Sequence, residues 1–200
     1  VLNLNHALTD QVASLVIGNT TLGAGIYGSN THPGVITGNG KIQVTGSASA
    51  FDTWIAGFPS IPVADRDPGD DPDRDGSVNA VEFALGGAPD NGGSRPGIYA
   101  LVADSSADVD TTKELLMTIA VRSGTPAFAG SPSPGATQSG ITYTIEGSTA
   151  LSSFSAVVTP VAPVVTGLPA APAGYEYRTF SLGGSNGTPA RGFMRVKLGY

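Results

Sequence analysis

Glycine and proline punctuate this chain too densely for long helices. Its 200 residues include 28 glycines and 15 prolines. Glycine in a helix interior gives up more backbone entropy than any other residue, and proline removes a backbone donor. Small and β-branched residues fill much of the rest, and charged residues reach only 13%, about half the usual share. Such a mix suits many short strands joined by turns. A hydrophobic content of 40% argues against disorder, since disordered chains are poor in apolar residues and rich in net charge.

Period-two alternation locates the strands, and three zones separate. The first, residues 1–46, reads as a short β-repeat or β-sheet segment. Its strands are Val1 to Leu4, Val12 to Ile17, Thr21 to Tyr27, Val35 to Ile36 and Lys41 to Thr45. Leu2 and Leu4 alternate with Asn3 and Asn5, and Ile42 and Val44 with Gln43 and Thr45. Each pattern marks a strand with one buried face. Asn39-Gly40 is a turn signal.

The second zone, residues 47–95, reads as a linker with two short helices. Ser49 and Asp52 have capping-box spacing, and Phe51, Trp54, Ile55 and Phe58 form one apolar helical face. A second helix, Val78 to Leu85, is expected to stop at Gly86-Gly87. The third zone, residues 96–200, reads as an antiparallel β-sandwich of roughly seven strands, a common number for that class. Leu115, Met117, Ile119 and Val121 alternate, as do Ile141, Tyr143 and Ile145, and Met194, Val196 and Leu198. Ser123 to Gly140 and Pro160 to Gly174 read as loops rich in Pro, Gly and Ala. The fold class is therefore mainly β.

Between the two helices lies Asp71-Pro72-Asp73-Arg74-Asp75-Gly76-Ser77-Val78-Asn79-Ala80-Val81-Glu82. It matches D-x-D-x-D-G-x5-E throughout. A calcium ion takes six to eight oxygens at about 2.3–2.6 Å. Alternate residues of a tight loop turn inward, so Asp71, Asp73 and Asp75 are expected to supply carboxylates. Gly76 permits the bend. Ser77 is expected to bind through its backbone carbonyl, Asn79 directly or through water, and Glu82 with both oxygens. Magnesium fits less well, because it demands octahedral geometry with retained waters. Asp65, Asp67 and Asp70 form a second acidic cluster just upstream, read as solvated, as completing the site or as holding a second ion.

A net charge of −6 disfavours nucleic acid and anionic membrane surfaces as partners. The chain has no cysteine, which excludes disulfides and thiolate chemistry. No apolar run reaches the ~18 residues of a membrane span. The chain does not begin with Met and shows no signal peptide, so a mature product or a fragment of a longer chain is expected.

Catalytic patterns are present only in outline. Gly23 to Gly28 matches G-x-G-x-x-G, but a loop from Ser29 to Gly34 follows where a dinucleotide site needs a helix. Gly183 to Gly187 matches G-x-S-x-G around Ser185, but a strand follows where a nucleophile elbow needs a helix. His6 and His32, the only histidines, lie far off in the first zone. Glu146 and Glu176 read as surface residues, and Trp54 as core. Asn19-Thr20-Thr21 and Asn186-Gly187-Thr188 are sequons read as surface turns.

Two resemblances add to this. With a short first helix and prolines at 68 and 72, the acidic loop resembles the half-EF-hand calcium loops of dockerins and thrombospondin type 3 repeats. Those loops imply a structural ion in a secreted protein. More widely, the chain resembles the C-terminal portion of bacterial autotransporter-associated β-strand-repeat proteins of the Verrucomicrobia and Planctomycetes type. Leu2 to Asn5, Val12 to Gly18, Gly25 to Gly28 and Ile36 to Val44 look like the last β-repeat. Phe51 to Trp54 and Ala56 to Phe58 look like the linker helix, and Asp71 to Gly86 like the calcium loop and its helix. Thr142 to Glu146 and Gly192 to Val196 look like strands of the terminal sandwich. This resemblance implies a large surface or secreted protein with a β-solenoid passenger, and no defined activity.

The expectation is a non-enzymatic, bacterial, extracellular structural or adhesive surface protein, including a filament or surface-layer subunit. Its calcium ion would stiffen the linker. Its partners would be copies of itself or other surface proteins, joined by β-strand pairing that involves Val1 to Asn5. The alternative is an accessory or carbohydrate-binding module of a larger secreted enzyme. It would take polysaccharide through Tyr99, Tyr175, Tyr177 or Tyr200.

Overall fold

The computed structural model describes residues 1–18, 20–46, 48–105, 113–182 and 191–200. The glycine-flanked Ser185, the sequon at Asn186 and Asn19 of the other sequon lie outside them. The chain forms two units, Val1–Ser49 and Ala50–Tyr200, and is mainly β throughout.

In the first unit, the described residues form seven short strands between glycine turns: β1 (Leu2–Leu4), β2 (Thr9–Val12), β3 (Leu15–Ile17), β4 (Thr20–Leu22), β5 (Gly25–Tyr27), β6 (Ile36–Gly38) and β7 (Lys41–Val44). Their pairing is partly parallel. β1 pairs with β6 in the register Leu2 to Ile36, and β2 with β7 in the register Thr9 to Lys41. The chain therefore returns alongside itself after 34 and 32 residues. β5 adds to β7 antiparallel, and β3 pairs with β4. Asn39-Gly40 joins β6 to β7, which lie in different sheets, so this turn closes no hairpin. The alternation sorts side chains as expected. Leu4, Ile36, Ile42 and Val44 are buried together, with Val12, Leu15, Ile17 and Tyr27 packed on them. Gly38 takes φ +88 against the Leu4 carbonyl, where no side chain fits.

The second unit opens with α1 (Ala50–Ile55) and continues through a 3-10 turn at Val63–Asp65 to α2 (Asn79–Leu85). Seven strands follow among the described residues: β8 (Ile98–Ala103), β9 (Glu114–Arg122), β10 (Gly135–Gln138), β11 (Ile141–Ser148), β12 (Val158–Val161), β13 (Tyr175–Leu182) and β14 (Phe193–Gly199). They form two antiparallel sheets, ordered β10-β11-β14 and β12-β13-β9-β8. One core joins both sheets and both helices. Phe51, Ile55, Phe83 and Leu85 pack with Met117, Ile119, Ile141, Tyr143, Ile145, Phe180 and Leu182.

Two expectations change here. Residues 47–95 do not form a linker between modules, because Phe51, Ile55, Ile61 and Phe83 each bury almost wholly in the core of the second unit. The stretch Ser123 to Gly140, read as a loop, also hides β10, and β12 runs two residues into the stretch that begins at Pro160. Pro160 is tolerated within β12 because that strand lies at a sheet edge, where an amide that donates nothing is not missed.

Candidate metal centre

α2 is a seven-residue helix anchored at its C-terminal end. A helix leaves its last carbonyls without intrahelical partners, and here each finds one. Gly86 takes the left-handed conformation at φ 80, and the amides of Gly86 and Gly87 donate to the Glu82 carbonyl. The Tyr175 hydroxyl donates to the Phe83 carbonyl at 2.9 Å, and the Tyr143 hydroxyl to the Ala84 carbonyl at 2.9 Å. The Gly97 amide donates to the Leu85 carbonyl at 2.7 Å. Arg122 lies over the Phe83 and Tyr175 rings and donates to the Tyr175 hydroxyl. β9, β11 and β13 thus hold the helix that carries Glu82.

The acidic loop wraps the other end. Arg74 at φ 63 and Gly76 at φ 94 turn it sharply. The Asp75 amide donates to Asp73 Oδ1, the Ser77 amide to Asp75 Oδ1 at 2.7 Å, and the Gly76 amide to Asp71 Oδ2. Each aspartate thus has one oxygen tied to the loop. The other oxygen of each, Asp71 Oδ1, Asp73 Oδ2 and Asp75 Oδ2, is buried without a partner. One carboxylate oxygen from each of the three residues falls within 4.8 Å of the other two. One ion with bonds of about 2.4 Å can span that distance. Glu82 is wholly buried, and both its oxygens lack partners. Burial is the main cause that pushes its carboxyl up to about 8, and the charges of Asp73, Asp75, Asp71 and Asp90 push the same way. The Asp73 carboxyl is also raised, chiefly by burial. A buried carboxylate without a donor or cation is unfavourable. The three aspartate oxygens facing a shared cation would be satisfied at once, whereas Glu82 is not within 4.8 Å of all three.

Asn79 holds the approach to the loop. Its Nδ2 donates to the carbonyls of Asp65 and Asp67, at 3.1 and 2.8 Å, and its own amide donates to the Asp70 carbonyl. Asn79 Oδ1 is buried without a partner. Asp67 and Asp70 close a turn, with the Asp67 amide donating to Asp70 Oδ2. The upstream acidic residues therefore serve Asn79 through their backbone, a role that no sequence pattern signals. Ser77 sits in the loop with its amide on Asp75, and nothing marks its carbonyl further.

Other singled-out residues fall as follows. Gly23 to Gly28 runs through β5 into turns. His6 pairs with Asp10 at 3.0 Å, and His32 stacks edge-on to Tyr27. Glu146 pairs with Arg195 and Lys197, and Glu176 with Arg178. Trp54 packs among Phe51, Phe58 and Phe83. The Tyr177 hydroxyl donates to the Pro169 carbonyl, and the Tyr177 ring meets Tyr99. Tyr200 is exposed. No helix among the described residues is long and apolar enough to cross a membrane.

The fold and site describe a mainly β chain with an acidic loop docked on its larger unit. No protein-family model, curated protein or solved structure was found to match it.

Proposed function

We propose that the chain is a non-enzymatic, extracellular structural or adhesive module of a bacterial surface protein, with one structural calcium ion in its second unit. The observation that carries this reading is the set of unpartnered buried oxygens on Asp71, Asp73, Asp75 and Glu82. An all-oxygen set of four carboxylates suits a hard divalent cation, and a glutamate offering both oxygens suits calcium better than magnesium. A structural rather than a sensing ion follows from the anchoring of α2. The helix has its carbonyls capped by Tyr143 and Tyr175 and its apolar residues in the core. The ion therefore stabilises the second unit itself, rather than a linker.

The parallel return of β1 on β6 and β2 on β7 supports reading the first unit as stacked coils. Stacked coils suit an extended surface protein, including a filament or layer subunit. Further copies of the chain or other surface proteins are its partners in this reading.

The test is calorimetry of the chain with calcium and with chelator, for the unaltered protein and Asp73→Ala. Calcium at a hundredfold over its Kd adds about 2.7 kcal/mol. For a unit of this size that raises the melting temperature by roughly 5–10 °C. Asp73→Ala removes the response. If chelation leaves both the melt and the protease resistance of residues 62–93 unchanged, the calcium reading fails.

A further inference from the structure

Three Asn-Gly pairs stand in the chain, and two of them, at 39–40 and 91–92, lie among the described residues. Such a pair can close on itself. The glycine nitrogen gives its proton to water or hydroxide and bonds to the asparagine Cγ. The Cγ–Nδ2 bond then breaks and ammonia leaves. Water opens the resulting five-membered imide at either carbonyl, which yields aspartate or isoaspartate. In sum, the amide and one water give a carboxylic acid and ammonia, with nothing oxidised or reduced. The reaction needs a free glycine amide, a side chain folded over it and a backbone able to turn. Glycine serves because no Cβ hinders the attacking nitrogen.

The two pairs differ on each of these needs. The Gly40 amide is in use, donating to the Leu4 carbonyl at 2.9 Å. Gly40 is buried, and a methyl group there would meet Leu4 Cβ at 2.8 Å and the His6 carbonyl at 3.0 Å. Its backbone is therefore packed against β1 and cannot turn in place. Asn91, Gly92 and Gly93 are exposed instead. The Gly92 amide has no acceptor among the described residues. The Gly93 amide donates to Asn91 Oδ1 at 3.1 Å. That bond closes a ring that contains both Asn91 Cγ and the Gly92 nitrogen, so the reacting atoms stay folded together. It also sets a donor on the oxygen where negative charge develops as Cγ is attacked.

We propose that Asn91-Gly92 is a site of spontaneous deamidation in the folded chain, and that the fold protects Asn39-Gly40. The site lies on the strap that leaves α2. Gly92 packs on the acidic loop, where a methyl group on it would come 3.5 Å from Asp75 Cβ and 3.6 Å from the Asp73 carbonyl oxygen. Isoaspartate at 91 runs the main chain through the former side chain and adds one methylene just before that contact. The modification therefore reaches the loop that holds Asp73 and Asp75.

Incubating the folded and the guanidinium-unfolded chain in mildly alkaline buffer tests this. Peptide mapping by mass spectrometry separates both sites from Asn186, and fragmentation tells isoaspartate from aspartate. In the folded chain Asn91 is expected to react at least tenfold faster than Asn39, which reacts only when β1 opens from the turn. In the unfolded chain the two react at similar rates. Gly92→Ala slows Asn91 several-fold and leaves the melting temperature unchanged, because Gly92 takes no positive φ and 3.5 Å is an ordinary contact. Amide exchange at Asp75 and Ser77 quickens in the isoaspartate fraction. Equal rates at Asn39 and Asn91 in the folded chain, the same tenfold ratio once unfolded, or a Gly92→Ala chain that reacts as fast would each overturn the proposal. Unchanged exchange at Asp75 and Ser77 would overturn its reach into the loop.

Discussion

Gly87 runs against the buried side chain of Glu82. A methyl group built on Gly87 would meet Glu82 Cγ and Oε1 at 2.8 Å, closer than real Cβ contacts come. The strap after α2 therefore helps set where the Glu82 carboxylate points. Gly87→Ala is expected to weaken calcium binding at least tenfold, about 1.4 kcal/mol, on top of a loss of stability in chelator from the contact with Glu82 Cβ at 2.9 Å. Gly86→Ala is the contrast. Its φ of 80 strains an alanine by about 1–2 kcal/mol with or without the ion. Calcium titration and melts of both variants separate the two effects.

The pH response should reverse with the ion. Without calcium, burial and neighbouring charges raise the Glu82 carboxyl from 4.5 to about 8. The folded chain then holds a proton that the unfolded chain has released. Stability in chelator is therefore greatest below about pH 4.5, as far as Glu82 decides it, and falls as pH rises towards 8. With calcium present the proton is displaced, and calcium affinity rises over the same window. Urea melts at pH 5.5 and 8 with and without chelator check both signs.

Asn79→Asp distinguishes a clamp from a ligand. The substitution keeps an oxygen and adds charge but loses the Nδ2 donor that holds the Asp65 and Asp67 carbonyls. A ligand would bind calcium as tightly or more tightly after the change. The clamp predicts weaker binding and faster amide exchange across residues 66–70. Exchange read by mass spectrometry decides between them.

Tyr143→Phe should lower the stability of the second unit by about 1–3 kcal/mol. The lost hydroxyl leaves the buried Ala84 carbonyl without its donor and the Arg122 amide without its acceptor. The loss is expected with and without calcium, since Tyr143 touches none of the carboxylates. Denaturant midpoints under both conditions measure it.

Local patterns were legible in the amino-acid order, and distant ones were not. The spacing of Phe51, Trp54, Ile55 and Phe58 placed α1, and Gly86 placed the end of α2. The three aspartates and Glu82 stood out by spacing alone, and one oxygen from each aspartate lies within 4.8 Å of the other two. β10 and β12 escaped notice because pairing with β11 and β13, rather than composition, makes them strands. The clamp by Asn79 was hidden because its partners are backbone carbonyls, which every residue has. Alternation marked Tyr143 as core but not that its hydroxyl reaches a carbonyl 59 residues away. The return of Leu2 beside Ile36 depends on everything between them.

That return sets a rule for how the first unit tolerates changes in length. Successive parallel strands stack about 4.8 Å apart, so one circuit of the chain is one step of a stair. If the unit is a stack of coils, adding a whole circuit leaves each tread resting on an equivalent neighbour. Adding a single residue within β6 would rotate Ile36 outward and set the row out of phase with Leu4. Evolution or an engineer can therefore lengthen such a unit by whole circuits, with single-residue changes confined to the turns at Gly18, Gly34 and Gly46, where positive φ already breaks the strands.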